Sequence, residues 1–144
     1  MDKKINPFYL GGLNKKDINK HKKNILTRRK KYKKYKSENK TKKDKYKKNT
    51  LESYKNKKSK HVINFEKKYK IKIINSKKIE KQLGISEKAQ FEIIKKGKGA
   101  FFSSGSRPNQ TPHSWAYGRL ASVILKKGAY KYDKHILEKY KIKL

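Results

Sequence analysis

The sequence predicts a mostly α-helical fold with one minor, short β element, and three observations carry that expectation. Apolar residues recur at helical spacing in several short segments. Capping candidates precede those segments and glycines follow them, as at Asn75 or Ser76 before and Gly84 after one, and Ser86 before and Gly97 after the next. Apart from a Phe pair between glycines, the β-branched run Ile71–Ile74 is the one stretch that reads as a strand.

In chain order, Pro7-Phe8-Tyr9-Leu10 is a small apolar cluster broken by Gly11-Gly12. It reads as an extended arm whose aromatics dock on this chain's core or on a partner. Asn14 is placed to cap a helix, with Asp17 in its first turn where the helix dipole favours an anion. That helix is expected over about 15–36. Ile18, Ile25, Leu26, Tyr32 and Arg29 fall near one stripe, while Lys22, Lys23, Arg28, Lys30 and Lys34 cover the rest. Two readings stay open: a basic helix lying along a phosphate backbone, and a solvated amphipathic helix on a small core.

Residues 37–58 have almost no apolar content and no period, so alone they cannot offset their ordering entropy and are expected to be flexible. Tyr46 and Tyr54 sit among the lysines, where they could stack on bases or anchor on a protein surface. The organisation expected is therefore a basic N-terminal arm, 1–60, and a compact C-terminal domain, 61–144.

In the C-terminal domain, Ser59 is expected to cap a helix through about Lys70 with Val62, Phe65 and Tyr69 inward. After the Ile71–Ile74 strand, the run KKIEKQLGISEKAQFEIIKKG has the spacing of a helix-turn-helix pair over 76–96. Ile79, Leu83, Ile85, Phe91, Ile93 and Ile94 are its inward residues. Glu80 departs from the pattern, which wants a small apolar residue four before the turn glycine. A further helix runs from about Pro112 to Lys126 with Trp115, Ala116, Leu120, Val123 and Ile124 for burial. Tyr130 and Tyr132 follow as a short extended piece, and Asp133 caps a last helix through Ile136, Leu137 and Tyr140.

Charge bounds the function. Lys and Arg total 44 against 11 Asp and Glu, a formal net charge of +33 in 144 residues. Such a chain repels itself and gains from a polyanion, of which nucleic acid is the most general; an anionic membrane surface and acidic capsid proteins are the competitors. Cysteine is absent, which removes disulfides, thiolate metal sites and a thiol nucleophile. No run approaches the ~20 apolar residues of a membrane span, and no apolar region marks a secretion signal. An internal, unsecreted protein is the expectation. His21, His61, His113 and His135 are scattered without metal-ligand spacing, so neither metal nor cofactor is expected. Ser103, Ser104 and Ser106 lie near His113, but without a nucleophile elbow or an orienting acid. No catalytic residue is assigned.

The segment Gly97–Ile124 differs from everything around it: lysine nearly vanishes while Gly, Ser, aromatics, Arg107, Arg119 and the single Trp gather there. Phe101-Phe102 reads as a short apolar strand between glycines. Ser106–Pro112 reads as a fixed polar loop, with Thr111 as N-cap and Pro112 at the first helical position. A basic loop brought to a helix N-terminus is a ready anion site. One reading makes Ser104, Ser106, Arg107, Asn109, Gln110 and Thr111, with Arg119, a phosphate or carboxylate clamp. Lys22, Lys23, Arg28, Arg29 and Lys30 then add phosphate contacts from the basic helix. The other has Arg107, Asn109 and Gln110 hydrogen-bond the loop to its own helices. Arginine in a chain this rich in lysine marks a need for its planar fork.

The run GKGAFFSSGSRPNQTPHSWAYGRLAS, 97–122, followed by Asp133-Lys134-His135-Ile136-Leu137, resembles a small basic domain family of large double-stranded DNA viruses and phages. Its pattern is GxGA[YFW][YF]SSGSRPNQTxxSW. The looser order upstream, a Pro-aromatic arm, a basic helix, a lysine-rich segment and paired helices, is similar too. The chain departs from the pattern at Leu125-Lys126-Lys127-Gly128, where Thr-Gly-Gly is usual, and at Glu80, where alanine is. The family brings no activity, so the resemblance implies a setting: a virion, or a viral factory in the host cytoplasm or nucleus. Two functions fit it. One is a non-enzymatic protein that neutralises or anchors viral DNA or RNA through phosphate-driven, non-specific contacts. The other is a minor capsid or cement protein whose basic arm bridges capsid or core proteins.

Overall fold

The computed structural model describes residues 4–37, 51 and 59–144. Readings placed on 38–50 and 52–58, including the flexible segment and Tyr46 and Tyr54, lie outside the described residues. Those residues form a 3-10 turn, Pro7–Leu10, and six α-helices: α1 Lys15–Ser37, α2 Lys60–Tyr69, α3 Ser76–Leu83, α4 Glu87–Ser103, α5 Pro112–Ile124 and α6 Tyr130–Lys139. No strand occurs among them, and none of their helices is long and apolar enough to cross a membrane.

The chain divides into two compact units. The first takes 1–56 with 99–112, and the second takes 57–98 with 113–144. This division differs from the expected split near residue 60, because segment 99–112 groups with the N-terminal helix and not with the C-terminal helices.

The second unit has an apolar core. Val62 and Phe65 of α2, Ile79 of α3, Ile93 of α4, Leu120 and Val123 of α5, and Ile136 and Leu137 of α6 are all buried in one cluster. The α3–α4 pair forms as its sequence dictates. Asn75 caps α3 by accepting the Lys78 N–H, Gly84 ends it in the left-handed region (φ 71°), and Ile85 is fully buried behind it. Ser86 Oγ accepts the Ala89 N–H at the start of α4. Glu80, the departure from the pattern, has a job here: its Oε2 accepts the Glu87 N–H at 2.9 Å. Buried Gln90 ties the pair together by donating to the carbonyls of Ser76 and Ile85 (3.0 and 2.8 Å).

Several expectations are corrected in this unit. Ile71–Ile74 is a plug, not a strand: Lys70 turns the chain at φ 53°, Ile71 and Ile73 are buried, and Glu66 Oε2 accepts the Ile73 N–H. Among the described residues no neighbouring strand exists to use the remaining backbone groups. Phe91 points outward at 54% exposure, since Ala89, Gln90, Ile93 and Ile94 already fill the inward face of α4. Trp115 is only half-buried. Tyr130 and Tyr132 are helical, and Asp133 is a fully buried member of the first turn of α6 instead of its cap.

Gly97 does not stop α4. A Cβ there would lie 2.7 Å from Ala116 Cα, so glycine lets α4 and α5 approach backbone to backbone. The helix runs on to Ser103, which makes Phe101 and Phe102 helical, not a strand.

In the first unit the N-terminal cluster is a 3-10 turn instead of an extended arm. Asn6 Oδ1 accepts the Phe8 N–H, and Pro7 opens the turn. Asn14 caps α1 as expected, accepting the Asp17 N–H at 2.8 Å. The buried face of α1 is Asp17, His21, Ile25, Arg28 and Arg29. Leu26 is exposed and Arg28 buried, the reverse of their expected places. Gly105, at φ 134°, lies against Ile25 and Tyr9; a Cβ would stand 3.1 Å from Ile25 Cγ2, so both backbone and space require glycine.

Candidate nucleic-acid interface

The first unit sorts its cations into two sets. Arg28 and Arg29 face inward, 8% exposed each, whereas Lys15, Lys16, Lys20, Lys22, Lys23, Lys30, Lys31, Lys33 and Lys34 of the same helix are exposed. Residues 17, 21, 25 and 28 are spaced to share one face of a helix, so all the lysines fall outside it.

The inward set binds the polar loop. Arg29 donates from Nε and Nη2 to the Ser104 carbonyl (3.0 and 2.6 Å). His21 Nε2 lies 2.9 Å from the Ser106 carbonyl; because a carbonyl only accepts, this nitrogen carries the proton. Arg28 donates to Ser106 Oγ (3.3 and 3.4 Å), and its guanidinium sits 4.0 Å from the centroid of the Phe101 ring. Ser106 Oγ in turn donates to the Arg107 carbonyl. A lysine ammonium could not supply this planar pairing and stacking at once, which explains arginine at these two places.

The rest of the loop is held in the same way. Arg107 donates to the carbonyls of Phe8 (3.0 Å) and Gly11 (3.4 Å), and its guanidinium lies 4.6 Å from the centroid of the Phe8 ring. Asn109, in the left-handed region at φ 58°, accepts the Leu51 N–H at 2.8 Å and donates to the Leu51 carbonyl at 3.3 Å. Leu51 is buried by this pairing of loop and chain. Ser104 and Ser106 therefore offer carbonyl and hydroxyl to the chain's own arginines. Thr111 is half-buried and directly precedes α5.

Arg119 belongs to the second unit, apart from the other loop candidates. It makes a two-pronged ion pair with buried Asp133: Nε to Oδ2 at 2.6 Å and Nη2 to Oδ1 at 2.7 Å. The sequence pointed to Arg119 for its fork, and the fork is spent on a buried carboxylate. The α4 N-terminus carries two carboxylates, Glu80 on the Glu87 N–H and Glu87 itself on Ser76 Oγ (3.1 Å), and this repels phosphate where a recognition helix would meet DNA.

Sequence reasoning missed His21 and Asp17 as partners of this face. The signal is present in the four-residue steps from Asp17 to His21 to Ile25, but Asp17 and His21 are polar, and an amphipathic helix is legible by its apolar stripe. Burial holds the His21 pKa below its ordinary 6.5; the nearby Arg28 charge adds to that, and the bond to the Ser106 carbonyl opposes it. On the second unit, Lys139 donates to Glu92 at 2.8 Å, which draws the Glu92 pKa down and the Lys139 pKa up.

Between α1 and the loop lies a half-open cleft lined by His21, Asn24, Arg28, Ser106, Arg107, Asn109 and Gln110. Among the described residues, no group of three or more His, Cys, Asp or Glu side chains could hold a metal ion. What the first unit offers is a helix whose lysines are exposed and a polar cleft between that helix and the loop.

No curated protein and no solved structure matches the chain. Residues 7–139 match one described family, which spans both units and the loop that joins α4 to α5. The chain belongs to that family, the family of unknown function DUF5824.

Proposed function

We propose that this is a non-enzymatic, basic nucleic-acid-binding protein that neutralises or anchors viral DNA or RNA and is associated with the virion or the viral factory. The observation that carries the reading is the sorting of cations on α1. Its arginines are engaged with the loop, and its lysines, among them Lys22, Lys23 and Lys30, stand outward. Lysine is a hydrated point charge suited to phosphates in no fixed register, so contact of this kind is non-specific and driven by counterion release. The viral setting comes from the sequence resemblance. Arg28, Arg29, Arg107 and Arg119 hold the fold, and the lysines carry the contact.

The test is binding of the full chain to random duplex DNA and to single-stranded RNA across a salt series. The logarithm of affinity should fall linearly with that of salt concentration, with a slope of about −0.9 per phosphate neutralised on duplex DNA. Binding no stronger than that of an unstructured peptide of matched lysine content contradicts the proposal. The charge would then serve a minor capsid or cement protein that bridges acidic partners.

A further inference from the structure

The exposed lysines of α1 do not cover its outer surface evenly. Residues 16, 20, 23, 27, 30 and 34 follow one another at alternating steps of four and three, which keeps them on one line of an α-helix. Lys16, Lys20, Lys23, Lys30 and Lys34 on that line are exposed, and the remaining position is exposed Thr27. The neighbouring line, 15, 19, 22, 26, 29 and 33, is broken. Asn19 and Leu26 are uncharged, and Arg29 is buried against the Ser104 carbonyl. Lys15, Lys22 and Lys33 remain on it, and Lys31 lies between the full line and the buried face. The carboxylate of α1, Asp17, is buried, so no acidic side chain interrupts either line.

Successive lysines on the full line repel one another across each turn, a cost that an anion facing them removes. From Lys16 to Lys34 the line runs about 27 Å, with neighbouring lysines about 4.5 to 6 Å apart along the axis. The anion that answers it must itself be a row of charges. A sugar–phosphate strand is such a row, with one charge per nucleotide along its length. Lysine carries a point charge on a flexible stem, so small differences in spacing between the two rows are taken up. A protein partner needs an apolar seam, and no apolar side chain lies on the line. Thr27 donates its hydroxyl to the Lys23 carbonyl at 2.9 Å, so the one gap in the charge is closed back on the helix.

We infer that α1 binds lengthwise along a single phosphate strand through Lys16, Lys20, Lys23, Lys30 and Lys34, with Lys15, Lys22 and Lys33 at the margin of the contact. One strand supplies the whole row, so duplex and single-stranded nucleic acid meet the same residues. The inference rests on the nucleic-acid reading above and gives it a contact line and an orientation.

The test sets charge-matched variants of the full chain side by side, each checked for retained helicity by circular dichroism. Thr27→Lys fills the gap in the line, and Leu26→Lys adds the same charge one residue away on the broken line. Affinity is read across a salt series on duplex DNA of random sequence and on a single-stranded oligothymidylate. Thr27→Lys should steepen the salt slope by about 0.9 on the duplex and about 0.7 on the single strand, and Leu26→Lys by less than about half of that. Lys20→Ala, Lys23→Ala and Lys30→Ala together should flatten the duplex slope by about 2.7. Lys15→Ala, Lys22→Ala and Lys33→Ala together should flatten it by less than about half as much. Equal changes within each matched set would overturn the inference and leave the nucleic-acid reading standing, since the lysines would then act without order. A line effect on the duplex alone would also overturn it, because the contact would then need both strands. If wild type binds neither probe, both readings fall together.

Discussion

In the second unit, Val62, Phe65, Ile79, Ile93, Leu120 and Ile136 fill the interior, and Gln90, Ser122 and Asp133 are its buried polar residues. In the first, Asp17, His21, Arg28, Arg29 and Ser106 are buried beside Ile25, Leu51 and Phe101. One unit is held by removing apolar area from water, a force without direction that tolerates swaps of similar volume. The other is held by directed bonds, many from cationic side chains to carbonyls, and each loss strands a buried group. The comparison explains why the chain's most distinctive run lies in 97–122 while its charge lies elsewhere. The Ser-Gly-Ser-Arg-Pro-Asn loop is the partner that a polar helix face requires, and the exposed lysines of α1 lie outside that face.

The contrast is broken first at the one place where the apolar unit depends on a fork. Arg119→Ala leaves Asp133 buried without its counter-charge and should cost about 3–5 kcal/mol in urea unfolding. Arg119→Lys should recover only part of that. In the polar unit, Arg29→Leu strands the Ser104 carbonyl and should cost about 1.5–3 kcal/mol. A conservative change in the apolar unit, Ile93→Val, should cost only about 0.5–1.5 kcal/mol. An Ile93→Val loss as large as that of Arg29→Leu would remove the distinction between the units.

A subtler break is pH. The folded His21 pKa lies below 6.5, so below pH 6.5 the unfolded chain binds a proton that the folded chain refuses. Stability should therefore fall as pH drops from 6.5 toward the folded pKa. His61 is lowered as well, by burial first and then by Lys127, and it acts in the same direction. His21→Gln keeps a donor for the Ser106 carbonyl and should remove the His21 share of that fall. The check is urea unfolding of wild type and variant at several pH values; identical slopes would contradict the account. The smallest effect belongs to the exposed lysines: Lys22→Ala, Lys23→Ala and Lys30→Ala together should change stability by no more than about 0.5 kcal/mol per site.

Much of the helical layout was legible in the sequence because caps and glycines are local signals. Asn14, Asn75, Gly84 and Ser86 act as their positions predicted. Continuation through Gly97 was not legible, since it depends on the approach of Ala116. The Ile71–Ile74 plug failed as a strand for a related reason: a strand needs a neighbour, and β-branched residues also suit a buried turn. For the site, the sequence identified the loop and its arginines, but a clamp for an outside anion and a clamp for the chain's own carbonyls use the same donors. The partners that the loop meets in the fold, His21, Arg28 and Arg29, lie some 75 to 85 residues away, beyond the reach of a local pattern.

The central claim is that the outward lysines of α1, and not its arginines, meet nucleic acid. Its most direct test is the salt dependence of duplex DNA binding by the full chain with Lys22, Lys23 and Lys30 all changed to alanine. The account predicts a folded protein whose salt slope is shallower than wild type by about 2–3. An unchanged slope in a folded variant would contradict it and return the search to the loop or to a protein partner.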